Sequence, residues 1–479
     1  MYLYCILMTR YELPDIDRRT FVKTTGAGAI GMGGLSTSST ADEGAQTTSE
    51  DDSNGGITPP PGPVVPVGGG FEPENEALYV ELLELVGNEP TVAIVPTANS
   101  DPERSIEVMS IDFLEYGEQL YGEGAVTIEE VEVAPAGPDE WAGNEDDPDV
   151  AAQIENADLV WFSGGNQLRI TETFFDEDGE EVAVATAIRE HVENGGAVAG
   201  SSAGAAIMTD PMIGAGQSTG SLLDGVSYED TYYDDDDNRV YLTRGLGYLG
   251  HGIADQHFYE RGRFGRLLRA LWHEGEDLGY GVGENTGLIF EADEPRARVS
   301  GENGVMVIDL SEAQAVENDS EALELEDVRV HHLSDGDVFD YDSRTVDPND
   351  TDKFDVTDNP FYTTNQDSWD VFGSPQAVKD LVTEELAVNE QETVRGTAIS
   401  VESTGEYERR TEVRLLFSQD ERTEGWEGEY EVQEMDWRYT AIDVHLDVEI
   451  GTFALIDDHI DTETLRDVIS AWQTGEPLS

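Results

Sequence analysis

Ala197-Val198-Ala199-Gly200-Ser201-Ser202-Ala203-Gly204-Ala205-Ala206-Ile207-Met208 decides how this chain is read. A short apolar run enters a G-x-S-x-G turn, and small helix-compatible residues follow it. That order predicts a strand, a sharp turn and a helix. A serine at such a turn needs small neighbours, because its backbone is strained and crowded. The helix behind it points free N–H groups at the same spot, which favours a developing oxyanion. Ser202 is therefore the candidate nucleophile.

Outward from this turn, residues 64–333 alternate short apolar runs with helical patterns. Strands are expected at 64–67, 91–96, 126–133, 158–162 and 197–199. Helices are expected around 78–85, 103–121 and 182–193. Apolar strands separated by helices predict an α/β fold with a doubly wound, mostly parallel sheet. Ligands of such sheets sit outside the carboxyl ends of the strands. Three of these strands run into glycine-rich loops: Gly68-Gly69-Gly70, Ser163-Gly164-Gly165 and the Ser202 turn. Residues 299–346 read as a closing β segment. From about 348 the composition turns acidic and turn-rich, with a possible helix at 376–386 and strands at 413–417 and 439–446. The expected division is a signal at 1–40, a linker at 41–63, a catalytic domain at 64–347 and a β-rich accessory region at 348–479.

The chain has 479 residues, with 103 Asp and Glu against 26 Lys and Arg, for a net charge of −77. That charge excludes ordinary nucleic-acid binding, which needs a basic face. So acidic a surface repels itself at low salt and is screened when the Debye length shrinks to ~3 Å near 1 M salt. A high-salt milieu is the expected setting. The single cysteine, Cys5, excludes an internal disulfide. Asp17-Arg18-Arg19-Thr20-Phe21-Val22-Lys23 precedes a weakly apolar, glycine-rich run at 26–35. The run is far shorter than the ~20 apolar residues of a membrane-spanning helix. Paired arginines before a short apolar stretch resemble a twin-arginine (Tat) export signal. The expected address is outside the cytoplasm, with no integral membrane segment once the signal is removed. The Ser-, Thr-, Gly- and Pro-rich stretch after it reads as a linker.

A serine nucleophile needs a base and a group that orients the base. The histidines are His191, His251, His257, His273, His331, His332, His445 and His459. His257 stands out by its surroundings, Asp255-Gln256-His257-Phe258, followed by Arg261, Arg263, Arg266 and Arg269. In a chain so poor in cations, this is a concentration of guanidinium groups suited to carboxylates or carbonyl-rich ligands, or to salt bridging.

Four segments in this order resemble the cyanophycinases of peptidase family S51, which also holds the aspartyl dipeptidases. They are Gly164-Gly165-Asn166-Gln167, Gly200 to Ala205, Asp255 to Phe258 with the arginines after it, and Gly281-Val282-Gly283-Glu284-Asn285. The resemblance covers about 64–345. It implies a class I glutamine-amidotransferase-like fold with Ser202 as nucleophile and His257 as base. Glu284 would orient the imidazole, and the N–H groups of Gly165 and Ala203 would form an oxyanion hole. It further implies a substrate pocket lined by Gln167, Asp255, Gln256, Arg261, Arg263 and Arg266. Two positions depart from the family pattern: Asn166 where Asp is usual, and Ser201 where Thr is usual. The implied reaction is hydrolysis of aspartyl or β-aspartyl (iso)peptide bonds through an acyl-enzyme, with no metal or organic cofactor. The expected partner is a peptide substrate, with a homodimer as a possible assembly. Two other readings are an idle peptide-binding module of the same fold and an α/β-hydrolase-type esterase using His445 or His459. The esterase reading lacks a His-Gly-Gly-Gly oxyanion loop.

Overall fold

The computed structural model describes residues 57–228, 237–316, 320–349, 351, 353–403, 408–429 and 437–455. The expected signal and most of the expected linker lie outside them.

The parallel strands that begin the fold are β1 (Val64–Val67), β2 (Thr91–Val95), β3 (Thr127–Glu130), β4 (Leu159–Phe162) and β5 (Ala197–Ser201). They pair in the order β1-β5-β4-β2-β3. Strands Thr286–Phe290, Arg296–Gly301, Val338–Asp340 and Thr345–Asp347 extend this sheet antiparallel beyond β1. The inner strands are apolar on both faces because both faces are covered. Val92, Ile94 and Trp161 pack with Leu78, Tyr79, Ile106 and Phe113 from helices α1 (Glu76–Glu84) and α2 (Pro102–Tyr121). Ala93, Val95 and Phe162 pack the other way, with Ile154, Leu168 and Val184. Those residues come from α3 (Pro148–Glu155), α4 (Gln167–Phe174) and α5 (Ala183–Glu193). This is an α/β architecture of mixed sheets with helices.

Side-chain caps fix the helix starts, each satisfying an otherwise orphaned N–H. Asn75 caps α1, Asp101 caps α2 ahead of Pro102, Asp147 caps α3 ahead of Pro148, and Asn166 caps α4. Asn166 is one of the two positions that depart from the family pattern. Its Oδ1 accepts the Leu168 N–H at 2.9 Å, as an aspartate at that position could.

A second sheet begins at Ile253–Asp255 and runs through Leu278–Val282, Val305–Asp309, Leu325–Leu333 and Trp437–Leu455. Strands Lys353–Asp355, Thr393–Ser403, Glu408–Ser418 and Glu424–Glu429 complete it. Sheet and core thus continue across 347/348, where the composition changes. Phe264, Leu267 and Leu268 share one apolar cluster with Val413, Leu415 and Phe417. Buried Lys353 ties the two stretches further: its ammonium pairs with Asp337 and donates to Ser334 at 2.8 Å and Thr440 at 2.9 Å.

Candidate active site

Loops leaving the carboxyl ends of β1, β4, β5, Ile253–Asp255 and Leu278–Val282 converge on one point. Ser202 follows β5 with φ 56° and ψ −108°, and its N–H is held by the Val67 carbonyl at 2.9 Å. That left-handed backbone lifts the side chain out of the sheet. His257 (φ 45°) and Asn285 (φ 54°) share the left-handed region. Non-glycine residues held there carry strain of about 1–3 kcal/mol each, a cost that clusters at functional sites.

Ser202 Oγ lies 2.8 Å from His257 Nε2, and His257 Nδ1 contacts the Glu284 carboxylate. Ser202 Oγ also reaches Gln256 Oε1 at 3.4 Å. Burial pushes the imidazole of His257 below its ordinary value. The Glu284 hydrogen bond pulls it back up, and the guanidinium groups of Arg261 and Arg263 push it down. The ring is therefore neutral at pH 7, with one nitrogen free to accept the serine proton. The N–H groups of Gly165 and Ala203 have no backbone acceptor among the described residues. At Gly165 (φ 151°) a Cβ would stand 2.1 Å from the Ala98 carbonyl, so only glycine fits against that loop. A hydroxyl, a neutral base, a carboxylate behind it and unspent N–H donors are the parts needed for acyl transfer.

The loop after β1, one of the three glycine-rich loops at strand ends, makes contacts with the site that the sequence did not specify. Gly68 O accepts the His257 N–H at 2.6 Å, and Gly69 O accepts the Asn285 N–H at 2.7 Å. A Cβ on Gly69 would fall 2.3 Å from His257 Cε1. The three consecutive glycines were the available signal: they let backbone lie flat against the imidazole and the Glu284 carboxylate.

The remaining expected pocket residues separate into two groups. Asp255 and Arg266, 1% and 3% exposed, form a two-pronged pair at 2.6 and 2.7 Å, and Arg266 also donates to the Gly216 carbonyl. Arg263 donates to the Gln256 carbonyl at 2.6 Å, and the Gln167 amide donates to Ile213 and Gly214. The contacts of Asp255, Arg263 and Arg266 brace the turn that carries His257, whereas Gln167 ties α4 to the strand Met212–Ala215. Arg261 is exposed, and it makes no ion pair among the described residues. His445 bonds Ser418 and Asp327 on the second sheet, outside this constellation. His459 lies outside the described residues.

The later part of the chain also touches the site. Gln376 donates from its backbone to the Tyr259 carbonyl (3.2 Å) and from its side chain to Glu260 (3.0 Å). Glu260 in turn accepts the Glu284 N–H at 3.3 Å. Burial raises the Glu260 carboxyl above the usual range.

The fold and the constellation together define an α/β protein with a Ser–His–Glu arrangement at the mouths of its strands. Residues 66–297 match the family model of peptidase family S51. The cyanophycinase of Trichormus variabilis is 34% identical over 208 residues, covering 42% of this chain and 62% of that protein. The chain thus spans less than two thirds of that relative's length. The cyanophycinase of Synechococcus elongatus is 28% identical over 262 residues, covering 53% and 70%. That of Geminocystis herdmanii is 29% identical over 269 residues, covering 53% and 83%. Among the described residues, no helix is long and apolar enough to cross a membrane.

Proposed function

We propose that this chain is an exported serine peptidase that hydrolyses aspartyl or β-aspartyl (iso)peptide bonds, in the manner of a cyanophycinase. The observation that carries the proposal is the 2.8 Å contact between Ser202 Oγ and His257 Nε2, with Glu284 behind the ring. In this reading His257 takes the Ser202 proton as Oγ attacks the scissile carbonyl. The N–H groups of Gly165 and Ala203 receive the oxyanion. Glu284 stabilises the imidazolium through Nδ1. His257 then protonates the leaving amine, and water, activated by the same imidazole, releases the acid from the acyl-enzyme.

The family resemblance favours an aspartyl substrate and a class I glutamine-amidotransferase-like arrangement of the first sheet. The twin-arginine segment and the charge of −77 favour export into concentrated salt. Cyanophycin and short aspartyl peptides, incubated with the full chain in molar potassium chloride, test the proposal. Release of aspartyl-arginine dipeptides or aspartate by the wild type, lost in Ser202→Ala, is the expected result. Equal turnover by Ser202→Ala would remove Ser202 from the reaction.

A further inference from the structure

A cleft of about 710 Å³ opens beside Ser202, on the side of the loops after β2 and β4. Its walls include Asn99, Ser100, Ser105 and Arg169, together with Ser202 and His257. The Asp255–Arg266 pair lies outside it. Acidic residues make up 103 of 479 positions, so sixteen wall residues drawn at that rate would include about three. None of the described wall residues is Asp or Glu. The walls of this cleft thus carry no carboxylate of their own, in contrast to the acidic composition of the chain.

Arg169 is the one permanent cation among those walls. It sits in the first turn of α4, only partly buried. One of its nitrogens donates to the Ala98 carbonyl at 3.2 Å. It makes no ion pair among the described residues, whereas Arg266, Arg298, Arg344 and Arg414 each have a carboxylate within 2.7 Å. An unpaired guanidinium keeps most of its donors for a ligand, and its planar fork fits a carboxylate with two parallel hydrogen bonds. The hydroxyls of Ser100 and Ser105 line the same cleft and add neutral hydrogen-bonding groups without competing charge.

We propose that this cleft is a carboxylate subsite, in which Arg169 binds a free carboxylate of the peptide residue next to the bond presented to Ser202. The inference deepens the proposed function and rests on that reading for its place beside the scissile bond. A direct two-pronged contact survives high salt, where long-range attraction is screened. The contact therefore selects the substrate in the expected milieu, whereas the net charge of the surface does not.

The test uses two aspartyl-arginine peptides that differ only in whether the arginine ends in a carboxylate or a carboxamide. Binding to the inactivated Ser202→Ala chain is measured by calorimetry, with and without Arg169→Gln and Arg169→Lys. The carboxylate peptide should bind on the order of 10- to 100-fold more tightly than the amide. Arg169→Gln should abolish that preference while leaving amide binding within threefold, and Arg169→Lys should restore part of it. Equal binding of the two peptides, or equal weakening of both by Arg169→Gln, would overturn the subsite. The latter would make the Ala98 contact a structural tether. Because binding is read without turnover, this result is separate from failure of the wild type to hydrolyse either peptide, which would count against the proposed function alone.

Discussion

Gly69→Ala puts the architecture of the site to a direct test. The added methyl would stand 2.3 Å from His257 Cε1 and 2.4 Å from Nε2, against the roughly 3.4 Å of ordinary contact. The loop cannot back away cheaply, since Gly68 O and Gly69 O hold the His257 and Asn285 N–H groups at 2.6 and 2.7 Å. The imidazole must therefore move by about 1 Å, which stretches its 2.8 Å contact with Ser202 beyond hydrogen-bond range. A misplacement of ~1 Å costs about 100-fold in rate. The positive φ of 99° adds backbone strain of about 1–2 kcal/mol. Gly122→Ala separates the two effects, because Gly122 has φ 104° and an added methyl there would meet nothing within 4 Å. The assay is the rate of Ser202 labelling by a fluorophosphonate, alongside thermal unfolding. Gly69→Ala should label about 100-fold more slowly. Gly122→Ala should label at the wild-type rate while its unfolding midpoint falls by a few degrees. A Gly69→Ala protein that labels within threefold of wild type would refute the reasoning.

Glu284→Gln removes a hydrogen bond that raises the His257 pKa, so the acid limb of kcat/KM should move to lower pH while kcat falls by orders of magnitude. Arg261→Gln removes a repulsion that lowers the same pKa, so the limb should move the other way. A pH–rate profile in which both variants shift together contradicts this. Gln376→Leu breaks the contact with Glu260 and should slow labelling by about tenfold with little change in unfolding midpoint, and an unchanged rate would make that contact merely structural. Buried His332 has its pKa held well below 6.5, so the unfolded chain binds its proton first as pH falls. Stability from this group is full above about pH 6.5 and is lost below it, so the unfolding midpoint in high salt should drop between pH 7 and 5.5. His332→Gln should flatten that slope, and an identical slope would assign it to other groups.

Much of the fold was legible because it rests on local patterns. The runs at 64–67, 92–95, 159–162 and 197–199 are apolar and buried throughout, as strands covered on both faces must be. Helices α3 and α4 were missed: Pro148-Asp149-Val150 and Gln167-Leu168-Arg169 carry short, weakly apolar turns, and only the caps Asp147 and Asn166 announce them. The strand expected over 126–133 is shorter, because Val131 and Val133 leave the ladder to fill the core. The change of composition near 348 reflects acidic surface turns. It could not reveal that Leu325–Leu333 pairs with Trp437–Leu455, since that register joins residues more than a hundred positions apart. Ser202, His257 and Glu284 could be picked out by their motifs. The roles of Gly69, Gln376 and Arg169 depend on what lies opposite them in space, which spacing along the chain does not encode.

The most direct measurement is mass-spectrometric mapping of the covalent adduct formed with a fluorophosphonate in molar salt. The account predicts one modified residue, Ser202, with labelling reduced by orders of magnitude in His257→Ala. An adduct on Ser201 or elsewhere, or labelling undiminished without the imidazole, would contradict it.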